Sequence, residues 1–186
     1  ASVIAFAGNT PPKIPSNAFL MIHNPWTYGE GNAADLRKMA DEVDILCVAD
    51  QFRCGIVTEK VRNEIIRLSE NGLTVTVDSR YNIAKYTDCI LKPNEVECWR
   101  AVYGNEAYLS ADIPAFKEAA ETLAKKNNAK VLCTLGARGA YFTDGKNSAD
   151  IPAKKLEPPL DICGAGDTSL SAFTCCLAAG LSYEKA

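Results

Sequence analysis

A chain of 186 residues, 47% of them hydrophobic, suits one domain and buries a sizeable core. A formal net charge of −3 with no basic stripe argues against nucleic acid as the main ligand. The longest apolar runs, such as residues 45–49, are too short to span a bilayer, and residues 1–8 lack the basic start of a signal peptide.

The opening contains Pro11, Pro12, Pro15 and Pro25 and reads as irregular, and regular alternation begins at Val43. Residues 43–49 form an apolar run ending at Asp50 and read as a buried strand. Thr58 caps a helix over 59–68, with Val61, Ile65 and Leu68 on one face and Gly72 as its stop. Residues 73–77 are a second strand, ending at Asp78, and 89–91 a short third one, ending at Lys92-Pro93-Asn94. Helices follow over 95–103, stopped by Gly104, and over 113–126, capped by Asp112. Residues 130–135 are a fourth strand, and Asp144-Gly145 between strand-like runs signals a hairpin near 140–146. Strands alternating with helices at this spacing predict an α/β fold with a mostly parallel sheet, whose ligand lies beyond the C-terminal strand ends. Polar residues recur there: Asp50 and Gln51, Asp78 to Arg80, Asn94, Thr134 and Gly136.

The eight cysteines, at 47, 54, 89, 98, 133, 163, 175 and 176, include no Cys-x-x-Cys pair, and the single histidine, His23, is remote from them in sequence. Reduced, buried thiols in a cytoplasmic protein fit this spacing better than a disulfide or metal framework.

Residues 161–173 read Asp-Ile-Cys-Gly-Ala-Gly-Asp-Thr-Ser-Leu-Ser-Ala-Phe and open an apolar, helix-compatible run that Gly180 stops. Small residues let several N–H groups converge, and a helix start adds partial positive charge, a combination that binds an oxyanion. Asp167 stands at the mouth of that hole. It either caps the helix or takes a proton from a hydroxyl that attacks a phosphate. The segment lacks the Gly-Lys-Ser/Thr ending of a Walker A loop, so phosphate chemistry here needs positive charge from elsewhere. Asn94-Glu95-Val96-Glu97, by itself, reads as a helix start with Asn94 as cap and Glu97 completing a capping box.

The Gly-Ala-Gly-Asp segment resembles the C-terminal signature of the ribokinase-like, PfkB-type carbohydrate kinases. The resemblance implies a three-layer, Rossmann-type fold with helices on a mostly parallel sheet. It implies Asp167 as catalytic base and Gly164, Ala165 and Gly166 as the anion hole. Asn94 and Glu97 match the family's Asn-x-x-Glu element, which organises magnesium and phosphate. Thr134-Leu135-Gly136-Ala137-Arg138-Gly139 resembles its nucleotide loop, implying Thr134, Gly136 and Gly139 as nucleotide-binding positions and Arg138 as a source of charge. Asp161 and the Cys163 carbonyl fall where relatives hold a monovalent cation, with Glu97 and Asp161 as the metal-side carboxylates.

Asp50-Gln51-Phe52-Arg53-Cys54-Gly55 and Val77-Asp78-Ser79-Arg80 are similar to the branch that phosphorylates heptose 7-phosphate, the kinase domain of ADP-heptose synthases. That branch reads Asp-Tyr-Gly-Lys-Gly and Val-Asp-Pro-Lys there. Asp50, Arg53, Asp78 and Arg80 are thereby candidate substrate residues, with the two arginines replacing lysines beside an anionic sugar. The resemblance covers residues 43–186. It implies one kinase domain over 1–186, incomplete at both ends beside its relatives, using ATP, Mg²⁺ and a monovalent cation such as K⁺. Its partner is a small-molecule sugar or sugar phosphate, not nucleic acid or membrane, and in many relatives the lid makes a homodimer contact, which leaves the oligomeric state of the intact protein open. Two other classes stand beside this reading. One is a kinase-like module that holds a nucleotide or partner without catalysis. The other is a dinucleotide-dependent oxidoreductase, against which the missing Gly-x-Gly-x-x-Gly counts.

Overall fold

A computed structural model describes residues 2–6, 18–23, 33–53, 55–104, 107–155, 157, 163–183 and 185–186. Eight strands lie in one sheet in the order in which they occur in the chain: β1 (Ser2–Phe6), β2 (Ala18–His23), β3 (Ile45–Asp50), β4 (Thr74–Ser79), β5 (Ile90–Leu91), β6 (Lys130–Thr134), β7 (Ala140–Thr143) and β8 (Ser148–Ile151). The first six are parallel, and β7 and β8 close the sheet as antiparallel strands.

Between the strands run α1 (Ala33–Ala40), α2 (Glu59–Glu70), α3 (Glu95–Tyr103) and α4 (Ile113–Asn127), and α5 (Ala165–Ala178) follows β8. Their ends follow local chemistry. Thr58 and Asp112 accept from the backbone N–H three residues on, and Gly104 ends α3 at φ 65. In the β7–β8 hairpin, the Asp144 carboxylate accepts from the N–H groups of Lys146 and Asn147, and Gly145 takes φ 84. Those three hydrogen-bond donors, counting the Asn147 amide, hold the Asp144 carboxyl down at about 2.

The expectation of an irregular opening is corrected here, because β1, β2 and α1 lie within residues 1–42. A continuous apolar run lacks the alternation that marks a half-exposed strand. Ser-Val-Ile-Ala-Phe and Ala-Phe-Leu-Met-Ile-His therefore give no period to read. The prolines that suggested irregularity fall outside the described residues.

The pleat sorts the side chains onto two faces. Leu46, Val48, Val75, Val77, Leu91, Val131 and Cys133 point toward α1–α4 and share one core with Leu36, Val61, Ile65, Phe116 and Leu123. Ile45 and Cys47 pack on Leu170 of α5, while Ile90, Leu132 and Phe142 pack on its Phe173. Helices thus cover both faces, giving three layers. One polar tie fixes α5 to the sheet: the Thr76 and Thr174 hydroxyls, both fully buried, lie 2.8 Å apart. Cys47, Cys89, Cys98 and Cys133 are buried thiols, and burial pushes Cys89 up to about 12, so it stays protonated and inert. Among the described residues no helix is long and apolar enough to cross a membrane.

Candidate active site

Alternation along neighbouring strands places the charged residues at the C-terminal ends of the sheet. Ala49 pairs with Asp78 and Asp50 with Ser79 in the β3–β4 register. Thr76 faces α5, so Asp78, two residues on, faces it too. Ile90 faces α5, and so does Lys92 just past β5. Asp50 follows Val48 and falls on the opposite side, under α2 and the turn after β4.

On the α5 side, Lys92 Nζ lies 2.8 Å from Asp78 Oδ2, with the two side chains only 4% and 9% exposed. A methyl group on Gly166 would sit 3.5 Å from Lys92 Nζ and 3.9 Å from Asp78 Oδ2, so this ion pair forms the floor beneath the first turn of α5. Gly164 precedes that turn in the left-handed region, at φ 74, where a side chain would be strained. Its carbonyl accepts the first helical bond, from Thr168, leaving the N–H groups of residues 165–167 without an intrahelical acceptor. Among the described residues no side chain caps them, and the turn is exposed. Asp167 stands at the third helical position rather than at the cap. Its exposed carboxylate has no hydrogen-bond or ion-pair partner among the described residues. Three open donors, a buried cation and an unengaged carboxylate therefore converge on one end of α5. Asp161 lies outside the described residues.

Asn94 and Glu97 close the capping box: Asn94 N–H donates to Glu97 Oε2 at 2.9 Å, and Glu97 N–H to Asn94 Oδ1 at 2.8 Å. The box occupies one oxygen of each carboxyl or amide and leaves the rest of the Glu97 carboxylate facing a cleft. Burial raises the Glu97 pKa above the ordinary range. The Asn94 N–H opposes that, Asp78 adds to it, and Lys92 and Arg80 also oppose it. A carboxylate short of solvent, beside both the ion pair and an arginine, has the chemistry to meet a hydrated Mg²⁺ through its free oxygen. Among the described residues no group of three acidic, Cys or His side chains gathers, so such an ion would depend on phosphate and water for most of its ligands.

The cleft has a volume of about 440 Å³ and is lined by Arg53, Arg80, Tyr81, Glu97 and Arg100, with Ile83 among its apolar residues. Arg53 and Arg80 flank the Tyr81 ring, at 4.6 and 5.8 Å from its centroid, and neither guanidinium has a carboxylate partner among the described residues. Asp50 does not line it. Its side chain is 1% exposed and is held from within.

In residues 134–139, Thr134 is joined to the Asn94 end through its N–H to the Pro93 carbonyl, at 2.9 Å. Gly136 and Gly139 take φ 60 and 95, and a Cβ at Gly139 would stand 2.1 Å from the Ile151 carbonyl oxygen. Only glycine lets the loop pass that close to β8. Arg138 is engaged, 2.9 Å from Glu95 and 3.2 Å from the Leu135 carbonyl.

Lys92, Tyr81 and Arg100 were not singled out from the sequence. The pleat counted from Ile90 would have put Lys92 on the α5 face, and Arg100, three residues after Glu97, shares its side of α3.

The fold is an α/β domain of ribokinase-like type. The chain belongs to the pfkB family of carbohydrate kinases, whose family model matches residues 27–186. That match begins before β3 and takes in α1. Curated relatives include the bifunctional protein HldE of Desulfatibacillum aliphaticivorans, 32% identical over 146 residues, covering 76% of this chain and 29% of that protein. A ribokinase of Lactococcus lactis is 35% identical over 94 residues, 50% of this chain and 27% of the relative. Among solved structures, a tetrameric inhibited form of Escherichia coli phosphofructokinase-2 superposes with a TM-score of 0.64 at 25% identity, covering 82% of this chain and 51% of that one. The Arabidopsis thaliana ribokinase complexed with ribose and ATP shares the fold at a TM-score of 0.65 and 21% identity, covering 85% of this chain and 50% of the other. The chain therefore spans about half the length of the solved structures and under a third of the curated relatives.

Proposed function

We propose that this chain carries the phosphoryl-transfer centre of an ATP-dependent carbohydrate kinase, and that its acceptor is a phosphorylated sugar of the heptose 7-phosphate type. The observation that carries the reading is the first turn of α5, where open amides and Asp167 stand over the Lys92–Asp78 pair.

Asp167 accepts the proton of the acceptor hydroxyl as that oxygen bonds to the γ-phosphorus. The bond from phosphorus to the β–γ bridging oxygen breaks and ADP leaves. The amides at Gly164, Ala165, Gly166 and Asp167 meet the charge on the transferring oxygens. Lys92 supplies from below the positive charge that the loop itself lacks. Asn94 and Glu97 hold the magnesium side, where Mg²⁺ when bound neutralises phosphate charge. Thr134, Gly136 and Gly139 shape the nucleotide loop. Arg53 and Arg80, with Arg100, face the acceptor's anionic group, and Asp78 keeps Lys92 in place between the two halves of the reaction. A K⁺ site at Asp161 and the Cys163 carbonyl belongs to the same reading, and no step is built on it. The HldE relatives support the heptose-kinase branch, and the E. coli phosphofructokinase-2 described in complex with fructose-6-phosphate supports a phosphorylated acceptor.

The test is Asp167→Asn in the intact protein. Nucleotide binding by calorimetry should persist while turnover across a panel of sugars and sugar phosphates falls about a hundredfold or more. Unchanged turnover would remove Asp167 as base. Nucleotide binding without turnover in the unaltered protein would favour a non-catalytic module.

A further inference from the structure

One wall of the cleft that faces the acceptor stands on α3, and the other on two loops. Arg53 comes from the segment after β3, and Arg80 and Tyr81 come from the turn after β4. A guanidinium pair flanking a ring at 4.6 and 5.8 Å needs both loops fixed, because each Arg carries its charge on a long flexible stem.

One residue gathers that turn. Asp50 Oδ2 accepts from Ser79 Oγ at 2.9 Å, Asn82 Nδ2 at 3.3 Å and Tyr86 OH at 3.0 Å. Its backbone carbonyl accepts from Arg80 N–H at 3.1 Å. Ser79 Oγ in turn accepts from Asn82 N–H at 3.0 Å. Every residue from 79 to 82 other than Tyr81 is thus tied to Asp50 directly, and Tyr81 is bracketed on both sides. The bonds lie in a dry place: Asp50 and Ser79 are at most 1% exposed. Hydrogen bonds to a charged acceptor out of water are the strong ones, and three on a single oxygen leave the turn little freedom.

We infer that Asp50 is the positioning residue of the Arg53–Tyr81–Arg80 cleft, setting its affinity for a phosphate dianion without touching the ligand. This rests on the reading of the cleft as an anion site. Geometry and charge at Asp50 are separable by substitution. Asp50 Oδ1 is buried with no partner among the described residues, so an Asn at this position keeps an oxygen for the three donors and gives up no bond. An Ala frees all three.

Inorganic phosphate is the probe, titrated calorimetrically into the intact protein and its variants, with a non-hydrolysable ATP analogue measured in parallel. Asp50→Ala and Arg80→Ala should each weaken phosphate binding about tenfold or more, and Asp50→Asn should stay within about threefold. The Kd of the ATP analogue should move less than about twofold in the Asp50 variants. Ser79→Ala, which removes one donor and no bulk, serves where Asp50→Ala does not fold. It should raise KM for a hexose phosphate several-fold with kcat retained. Equal losses in Asp50→Asn and Asp50→Ala would make Asp50 a ligand contact and overturn the proposal. Phosphate binding absent from the unaltered protein, or surviving both Asp50→Ala and Arg80→Ala, would overturn it as well. An unaltered protein that transfers no phosphoryl group, yet shows this pattern with phosphate, would refute the kinase reading and leave Asp50 in its role.

Discussion

Gly166→Ala separates stability from chemistry at the centre of the site. Gly166 is helical and its φ is not in the left-handed region, so the backbone accepts alanine there. The new methyl would stand 3.5 and 3.9 Å from the nearest atoms, Lys92 Nζ and Asp78 Oδ2, which is ordinary contact without overlap. Replacing a helical glycine with alanine gains about 0.5–1 kcal/mol, mostly by restricting the unfolded chain. For a domain of this size that raises Tm by roughly 1–4 °C. The same methyl fills the space over the ion pair and beside the open amides, where transferring oxygens must come within about 3 Å of their donors. Turnover should therefore fall about a hundredfold or more, the scale seen when one oxyanion donor is lost. Differential scanning calorimetry and a coupled ADP-release assay on the intact protein read the two effects independently. A variant that melts higher and still turns over normally would refute the placement of the reaction beneath α5. One that melts several degrees lower would refute the packing inferred around Gly166.

Two further variants test how the site is held. Thr174→Val leaves the buried Thr76 hydroxyl without its 2.8 Å partner and should cost about 1–3 kcal/mol in denaturant melts, whereas adding Thr76→Val should recover most of it. A double variant as unstable as the single one would show that the hydroxyl pair is not what ties α5 down. The Glu64 carboxylate, held down to about 2 chiefly by hydrogen bonds from Arg37 and Arg67, has a folded pKa below its unfolded one. Its contribution is therefore present above the ordinary glutamate range, near pH 4.5, and is lost as pH falls toward 2. The full shift corresponds to roughly 3 kcal/mol, and with both arginines facing solvent about 1 kcal/mol should be measured. Glu64→Gln should flatten the stability curve between pH 4.5 and 2, and an unchanged acid slope would refute the assignment.

The sequence carried the alternation of strands and helices from β3 onward, the caps at Thr58, Asn94 and Asp112, and the glycine-rich start of α5. Each of these is written in local chemistry that needs no tertiary partner. What stayed hidden depended on neighbours distant along the chain. Asp50 and Asp78 look alike as strand-ending carboxylates, yet one meets Tyr86 and the other Lys92, because they leave the sheet on opposite faces. Lys92 was invisible as a site residue because an exposed loop lysine and a buried one read the same until the partner arrives. Arg138 reads from the sequence as a loop arginine, solvated or supplying charge, and its partner Glu95 lies on another element. The strands at the start escaped because continuous apolar runs have no period.

The pairing of Asp50 with Ser79 and of Ala49 with Asp78 makes this end of the sheet intolerant of length change. A single inserted residue within β4 would turn Asp78 away from Lys92 and send Ser79 out in its stead, disabling both clusters at one stroke. Insertions and deletions should accordingly fall outside β3, β4 and the turn over 79–82.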